Sequence, residues 1–269
     1  MSTKTTVHVR DAVLSQLVAT LDRAALDTDP FAHVYVREPL PAELYDLFLE
    51  MLPPSPLYFP DNPAKYGHAA SRLHASPGTS AGQIEGLGHV QSCRYICLLD
   101  DRNLARLHDT MSQFWREVAS ALTSRELQDG LVTRFALDLM RRFRTDLSGL
   151  RRLALHPRAT LIRDLTGYWI APHPDSRAKA ITMQFYLARD HSQRDLGTTL
   201  YRRRLFDVRN LVTLKHLFEP VKRLVFLPNT AYAFPVTRHS WHGREALPPG
   251  EDARESLLLV YYLDPSREW

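Results

Sequence analysis

The chain has 269 residues, of which 44% are hydrophobic and 24% charged, and these proportions indicate a folded globular protein. The longest apolar run, Leu257 to Leu263, is far shorter than the roughly 20 residues that span a bilayer. The N-terminus lacks an apolar core of signal-peptide length. We therefore expect a soluble, cytoplasmic protein without a membrane segment. The net charge of +4 comes mainly from arginine, which favours an acidic partner or substrate and falls short of evidence for nucleic acid.

Residues 1–157 have a mainly helical pattern. Apolar residues recur at three- and four-residue steps, which is typical of helices that bury one face in a core. The predicted helices cover residues 11–26, 41–52, 104–122 and 131–143. Two cysteines, Cys93 and Cys97, are too few for a disulfide framework in a chain of this size, and we expect both to be buried, reduced thiols.

The period changes at about Arg158. From there the sequence has short segments rich in β-branched and aromatic residues, separated by Pro, Gly, Asn and Asp turns. The predicted strands cover residues 159–171, 179–188, 222–228, 230–236 and 255–263. Helices followed by strands predict an α+β fold in which helices lie against one side of an antiparallel barrel or sandwich. We expect a single domain over residues 1–269, with a helical support region (1–157) and a β core (158–269).

The first predicted strand ends at the triplet His173-Pro174-Asp175. Alternate side chains of a strand share a face, so the imidazole and the carboxylate are expected side by side. Pro172 and Pro174 cannot donate to a sheet ladder, which fits the end of a strand. A His-x-Asp triplet occurs often by chance, however, and is weak evidence when it stands alone.

Two later motifs give the triplet its context. His242, in the segment SWHG, would complete the two-histidine, one-carboxylate ligand set of non-haem Fe(II) oxygenases. His239, three residues earlier, is the competing candidate. Arg254 and Ser256 share one face of the last predicted strand, where a charged residue is costly unless it meets an anion. They would offer a forked donor and a hydroxyl to a carboxylate.

Together these motifs resemble the iron- and 2-oxoglutarate-dependent dioxygenases, and specifically their prolyl-hydroxylase-like branch. The similarity covers roughly residues 158–263. It rests on five elements in the right order: IRDLTGYWIAPHPD, AITMQFYLA, GTTLY, SWHG and RES. The resemblance implies a double-stranded β-helix, that is, a jelly-roll or cupin-like barrel, with supporting N-terminal helices.

The resemblance also implies the chemistry and its residues. Fe(II) would be the metal, 2-oxoglutarate the cosubstrate and O2 the oxidant, with ascorbate in support, succinate and CO2 released and hydroxylation as the usual outcome. The implied iron ligands are His173, Asp175 and His242, and the implied ligands of the far carboxylate of 2-oxoglutarate are Arg254, Ser256 and Tyr186. The halogenating relatives lack the carboxylate of Asp175 and the alkylation-repair relatives carry a second Arg in the last strand, so neither activity is expected.

Further residues are candidates for the pocket. Thr182 and Gln184 lie on the face of Tyr186 by strand alternation. Four more residues could contact substrate or cosubstrate and could equally be packing residues: Trp169, Arg163, Tyr201 and Trp241. Two polar loops, residues 65–76 and 188–204, are the candidate substrate lids, and the arginines at 202–204 would suit an anionic substrate. The histidines at 68 and 74 are interpreted as loop residues.

Three functions remain open from the sequence. The favoured one is hydroxylation of a small-molecule or carrier-bound substrate, because no recognition domain is recognisable and the helical half is needed to support the barrel. A protein or peptide hydroxylase would use the same motifs. A non-catalytic barrel that binds a ligand or another divalent metal belongs to a different class, and the intact ligand set together with the intact Arg-x-Ser disfavours it.

Overall fold

A computed structural model of the protein describes residues 8–61, 93–204, 217–249 and 253–264. The α-helices within these residues are α1 (Val9–Arg23), α2 (Ala42–Glu50), α3 (Asp101–Leu104), α4 (Asp109–Leu122), α5 (Arg125–Arg134), α6 (Ala136–Phe143) and α7 (Leu147–Arg152). No helix in this part of the chain combines the length and the apolarity that a membrane span requires. The predicted loop over residues 65–76, with its histidines, lies outside the described residues.

The helix prediction is confirmed for the first two segments and wrong for the last two. The segment 104–122 holds the last residue of α3, a turn at residues 105–108 and the separate helix α4. The segment 131–143 is the end of α5 followed by a separate helix, α6. Ser124 starts α5 early, because its side chain accepts a hydrogen bond from the Leu127 amide and so caps the helix. Phe135 then departs from helical geometry at φ −106° and ψ 19°. Buried apolar residues continue on both sides of Phe135, so the periodicity alone does not reveal the break.

The strands form two antiparallel sheets. Their bounds are β1 (Leu26–Asp27), β2 (His33–Arg37), β3 (Phe59–Pro60), β4 (Arg94–Leu98), β5 (His156–Asp164), β6 (Ile170–His173), β7 (Lys179–Tyr186), β8 (Thr198–Arg203), β9 (Phe218–Leu224), β10 (Thr230–Pro235), β11 (His242–Arg244) and β12 (Arg254–Tyr262). The large sheet has the order β1-β2-β10-β7-β12-β5-β4-β3, and the small sheet has the order β6-β11-β8-β9.

The chain crosses repeatedly between the two sheets. The single strand predicted over residues 159–171 is therefore wrong, because this segment forms the end of β5 in the large sheet and the start of β6 in the small one. The turn between them contains Gly167 at φ 85°, a left-handed conformation that glycine adopts without steric cost. Within the same turn, the amide of Tyr168 donates to the carbonyl of Leu165.

The first half of the chain also contributes strands to the large sheet. β2 pairs with β10, and β4 pairs with β5. The helical interpretation of residues 1–157 omitted these strands, since segments of five residues are too short to show a clear period of two.

Both faces of the large sheet are covered, and β12 shows the consequence. Leu257, Leu259 and Tyr261 lie in the core cluster that includes the fully buried Trp115 of α4. The alternate residues of β12 face the small sheet. Because neither face meets water, the strand reads as nearly continuous apolar sequence, and each large apolar side chain buried there stabilises the fold by about 1.5–3 kcal/mol.

Candidate metal centre

Three candidate ligands converge at one end of the small sheet. His173 is the last residue of β6, Asp175 follows two residues later, and His242 is the first residue of β11. His173 and His242 are directly paired in the ladder between these strands, and their ring centroids lie 4.5 Å apart. One ligand atom from each of the three side chains lies within 4.8 Å of the other two. This spacing allows one metal ion to contact all three.

Backbone carbonyls hold both imidazoles in the same tautomer. His173 Nδ1 donates to the carbonyl of Ala171 at 2.8 Å, and His242 Nδ1 donates to the carbonyl of Ser240 at 3.0 Å. Since a carbonyl can only accept, each Nδ1 carries the proton and each Nε2 keeps its lone pair. Burial lowers the pKa of His173 to about 4 and also lowers the pKa of His242. Both rings are therefore neutral at pH 7, the form in which histidine binds metals.

The carboxylate of Asp175 is ionised and held through both oxygens. Lys179 Nζ donates to Oδ1 at 2.6 Å, and Thr182 Oγ1 donates to Oδ2 at 2.7 Å. Burial alone would raise the pKa of Asp175, but the charge and hydrogen bond of Lys179 together with the contributions of His242 and His173 outweigh it, and the pKa lies well below its ordinary value. Both donors belong to β7 of the large sheet. They orient the carboxylate of Asp175, which follows β6 of the small sheet.

The competing histidine lies elsewhere. His239 is exposed in the turn before β11, and its Nε2 accepts a hydrogen bond from Arg238 Nε at 2.9 Å. It does not belong to the group of convergent ligands. The geometry thus favours His242 over His239 as the third ligand.

A cavity of about 480 Å³ lies beside the three ligands. Thr182 and Gln184, placed on this face by strand alternation, are part of its wall. Its apolar and aromatic wall consists of Ile162, Ile170, Leu258, Tyr232 and Tyr262, and its cationic side chains are Arg94, Lys179, Arg244 and Arg254. The volume lies in the range of sites that bind small molecules, roughly 300–1,000 Å³.

Arg254 lies in the wall of this cavity and is almost fully buried. Its Nη1 donates to Asp164 Oδ2 at 2.9 Å, and its Nε donates to the carbonyl of Leu196 at 2.8 Å. Asp164 also accepts from Arg94, whose Nε and Nη2 bind its two oxygens at 2.6 and 2.9 Å. Burial alone would raise the pKa of Asp164, but the charges of Arg94 and Arg254 keep that pKa below its ordinary value. Arg254, the predicted ligand of the 2-oxoglutarate carboxylate, therefore shares Asp164 with Arg94.

Gln184 and Tyr232 of the cavity wall are linked by hydrogen bonds to Ser256, which is not itself part of the wall. Gln184 Nε2 donates to Ser256 Oγ at 2.9 Å, and the hydroxyl of Tyr232 donates to Gln184 Oε1 at 2.6 Å. The hydroxyl of Tyr186 instead accepts from the amide of Thr198 at 3.0 Å, and Tyr186 is not part of the cavity wall. Its contact with a cosubstrate stays a prediction, and the tyrosines of the cavity wall are Tyr232 and Tyr262.

The other four pocket candidates lie outside the cavity wall: Trp169, Arg163, Tyr201 and Trp241. Arg163 faces the opposite side of the large sheet, where it pairs with Glu255 at 2.5 Å. Trp241 packs against Phe218 with ring centroids 4.6 Å apart, and its carbonyl accepts from the Tyr201 amide. Arg163 and Trp241 thus make contacts away from the cavity, and contact of these four residues with substrate or cosubstrate stays a prediction.

The basic residues at the end of β8 also lie away from the cavity. Arg202 pairs with Asp29, Arg204 pairs with Glu219, and the guanidinium of Arg203 lies over the ring of Trp241. These arginines are thus engaged at the surface and give no support for an anionic substrate. The cationic side chains that reach the cavity are Arg94, Lys179, Arg244 and Arg254.

The sequence interpretation missed Lys179, Arg94, Arg244 and Tyr232. Two of them had a usable signal. Lys179 lies four residues after Asp175. Arg244 lies two residues after His242 on β11, so that strand alternation places the side chains of His242 and Arg244 on the same face. Arg94 lies on β4, a strand that was not predicted, so nothing pointed to it.

Comparisons with known proteins give similar structures and no similar sequences. Neither a protein-family model nor a curated protein matches the chain. A prolyl hydroxylase from Trichoplax adhaerens, in complex with a hypoxia inducible factor peptide fragment, is 13% identical over 97% of this chain and 94% of its own, with a TM-score of 0.49. A Pseudomonas putida prolyl-4-hydroxylase is 14% identical over 93% and 98%, with a TM-score of 0.44. The alpha-ketoglutarate-dependent epimerase SnoN from nogalamycin biosynthesis is 14% identical over 94% and 81%, with a TM-score of 0.43.

A further similar structure is an oxidoreductase of the 2OG-Fe(II) oxygenase family from Burkholderia pseudomallei, 16% identical over 93% of this chain and 91% of its own, with a TM-score of 0.41. The solved structures to which the chain is similar thus include prolyl hydroxylases and a member of the 2OG-Fe(II) oxygenase family.

Proposed function

We propose that the protein is an Fe(II)- and 2-oxoglutarate-dependent dioxygenase that hydroxylates a small-molecule or carrier-bound substrate. One observation carries the proposal: two neutral imidazoles with bare Nε2 atoms and one ionised carboxylate converge within 4.8 Å beside a cavity. Two histidines and one carboxylate leave coordination positions open on Fe(II). When bound, Fe(II) and 2-oxoglutarate supply the O2-dependent oxidation, with release of succinate and CO2.

The chain's own residues then have separate tasks. His173, Asp175 and His242 hold the metal, and Arg254 with Ser256 binds the distal carboxylate of 2-oxoglutarate. The fixed imidazole tautomers support the first task, because the metal-binding atoms need no reorganisation. The position of Arg254 in the cavity wall, next to the hydrogen-bonded Ser256, supports the second.

The proposal takes β5 to β12 as a double-stranded β-helix within one domain. Four of these strands lie in each sheet, and the chain crosses between the sheets after every strand except β8, which is followed by β9 in the same sheet. Such crossing supports a jelly roll. β2 and β4 extend the large sheet, which supports a single domain that includes the first half of the chain.

The cavity favours a substrate of modest size. Its volume of about 480 Å³ has to admit 2-oxoglutarate as well, which leaves room for one small molecule or one projecting group. Ile162, Leu258 and Tyr262 form an apolar cluster in its wall. This wall suits an aliphatic or aromatic part of the substrate next to the metal.

The first test is succinate formation from 2-oxoglutarate by purified protein under air, with Fe(II) and ascorbate. The variants are His173→Ala and Arg254→Ala, with His239→Ala as the matched control because this exposed histidine lies outside the ligand group. We expect turnover in wild type and in the control, and its loss in the other two. Turnover that survives in His173→Ala would refute the assignment of the metal site.

A second measurement is needed because 2-oxoglutarate turnover can depend on a bound substrate that the first assay does not contain. Anaerobic titration of the wild type with Fe(II) and 2-oxoglutarate is expected to produce a metal-to-ligand charge-transfer band, and His173→Ala is expected to abolish it. A wild type that shows neither succinate formation nor this band would identify a non-catalytic barrel.

A further inference from the structure

Two arginines from neighbouring parts of the site converge on one backbone oxygen. Arg244 Nη1 donates to the carbonyl of Leu196 at 2.9 Å, and Arg254 Nε donates to the same oxygen at 2.8 Å. Both guanidinium groups lie in the wall of the cavity, and Arg244 is only 6% exposed. Two like charges are therefore held close together in a poorly solvated place, where each raises the cost of the other.

The internal acids do not balance this charge. Among the described residues, Asp164 is the carboxylate that forms ion pairs with this cluster. It pairs with both Arg94 and Arg254. Three buried or half-buried guanidinium groups thus share one carboxylate. Arg244 forms no ion pair among the described residues, and its Nε is buried without a hydrogen-bond partner there.

A buried cation without a counter-charge is costly, and so is a buried donor without an acceptor. The cost is removed when a ligand anion completes the cluster. A carboxylate fits the guanidinium fork in geometry as well as in charge. Because Asp164 already compensates part of the charge of Arg254, the excess positive charge at this wall comes from Arg244.

We propose that Arg244 is a second cationic ligand of the distal carboxylate of the cosubstrate, so that β11 and β12 each supply one arginine to it. This inference rests on the proposed function and deepens it. It makes Arg244 a specificity determinant: the subsite selects a 2-oxo acid with a second carboxylate over one without. The same strand then carries a metal ligand, His242, and a cosubstrate ligand two residues later on the same face.

The test compares two 2-oxo acids that share the metal-chelating head. 2-Oxoglutarate has the distal carboxylate and pyruvate lacks it. Both are titrated anaerobically into Fe(II)-loaded wild type and Arg244→Met, and the dissociation constants are read from the charge-transfer band. Arg223→Met is the matched control, because Arg223 lies on β9 of the same sheet and pairs at the surface with Glu245.

We expect Arg244→Met to weaken 2-oxoglutarate binding by about 10- to 100-fold and to leave pyruvate binding unchanged, since a hydrogen-bonded charge at the tail is lost and the head is untouched. Unchanged 2-oxoglutarate binding would overturn the inference, and so would an equal loss for both acids, which would show a structural role or a contact with the substrate instead. Wild type that binds neither acid would overturn the proposed function and this inference with it.

Arg244→Lys is the second variant, for the case in which the methionine variant does not fold. It keeps the buried charge and loses the planar fork. We expect a selective loss of 2-oxoglutarate affinity of about 3- to 10-fold, with pyruvate affinity again unchanged. Equal dissociation constants in Arg244→Lys and wild type would contradict a direct contact.

Discussion

Lys179 Nζ lies 2.6 Å from Asp175 Oδ1, and both side chains are mostly buried. The carboxylate proposed as an iron ligand therefore has a cationic partner of its own within the protein. When one partner of a buried ion pair is removed, the remaining charge is left uncompensated, at a cost of about 3–5 kcal/mol. A divalent metal ion placed at the site restores the missing positive charge.

We predict that Lys179→Met lowers the melting temperature of the metal-free protein and increases the stabilisation gained from a divalent metal. The measurement is thermal unfolding with and without Mn(II), a redox-stable substitute for Fe(II). Lys222→Met is the control, because Lys222 pairs with Asp27 in a half-exposed position. An equal metal-induced shift in wild type and Lys179→Met would show that the lysine does not compensate the carboxylate.

Arg142 of α6 forms hydrogen bonds to the two segments that carry the candidate metal ligands. Its guanidinium donates to the carbonyl of Arg177 at 2.7 Å, to that of Lys179 at 2.6 Å and to that of Val236. The first two carbonyls follow Asp175 in the chain, and the third precedes the turn that leads to β11. The side chain of Arg142 thus connects the segment after Asp175 with the segment before β11.

We predict that Arg142→Met lowers the free energy of unfolding by about 2–4 kcal/mol, because hydrogen bonds to a charged donor are lost and two partly buried carbonyls lose this partner. It should also weaken metal binding, which isothermal titration with Mn(II) measures. Arg141→Met on the same helix is the control, since Arg141 is exposed. A variant that loses stability with unchanged metal affinity would limit Arg142 to a structural role.

The sequence predicted the part of the site that local spacing determines. The candidate ligand pair His173 and Asp175, and the inward positions Thr182 and Gln184, follow from alternation along strands. The buried charge cluster does not follow from spacing, because Asp164 meets its partners across 70 and 90 residues of chain. The sequence pattern indicated Arg163 as a pocket candidate and not its neighbour Asp164. Adjacent residues of a strand point to opposite faces, so an error of one position selects the wrong face.

The same limit applies to the fold. The combination of helices with antiparallel sheets was predicted, as were most strands of the second half. The split between β5 and β6 was not, because it depends on a turn at Gly167 within an otherwise apolar run. The pairing of β2 and β4 with strands of the second half is a long-range contact, and periodicity carries no information about such partners.

His33 on β2 gives the protein a pH-dependent stability that is separate from the metal site. It is fully buried, its Nδ1 donates to the carbonyl of Phe31 at 2.8 Å, and its Nε2 lies 3.8 Å from Asp27 Oδ2 with no hydrogen-bond partner among the described residues. Burial lowers the pKa of His33 below its ordinary value. The unfolded chain therefore takes up a proton at His33 before the folded protein does, as the pH falls below about 6.5.

We predict that His33→Phe loses less stability than wild type when the pH falls from about 7 to 5, because the variant no longer has this proton uptake on unfolding. The measurement is urea unfolding of metal-free protein at several pH values. The contributions of His173 and His242 are common to both proteins and cancel in the difference. Parallel stability curves for the two proteins would exclude His33 as the source.

Asp164 compensates the guanidinium groups of Arg94 and Arg254, so its removal separates the structural role of the charge cluster from its binding role. We predict that Asp164→Asn lowers the free energy of unfolding by about 3–5 kcal/mol, because two buried cations lose their carboxylate. The variant should then gain more stability from 2-oxoglutarate than wild type does, even without metal, since the added carboxylate meets a larger uncompensated charge. Thermal unfolding with and without 2-oxoglutarate measures both effects, with the exposed Asp22→Asn as control. Equal shifts in variant and wild type would place the bound carboxylate away from this cluster.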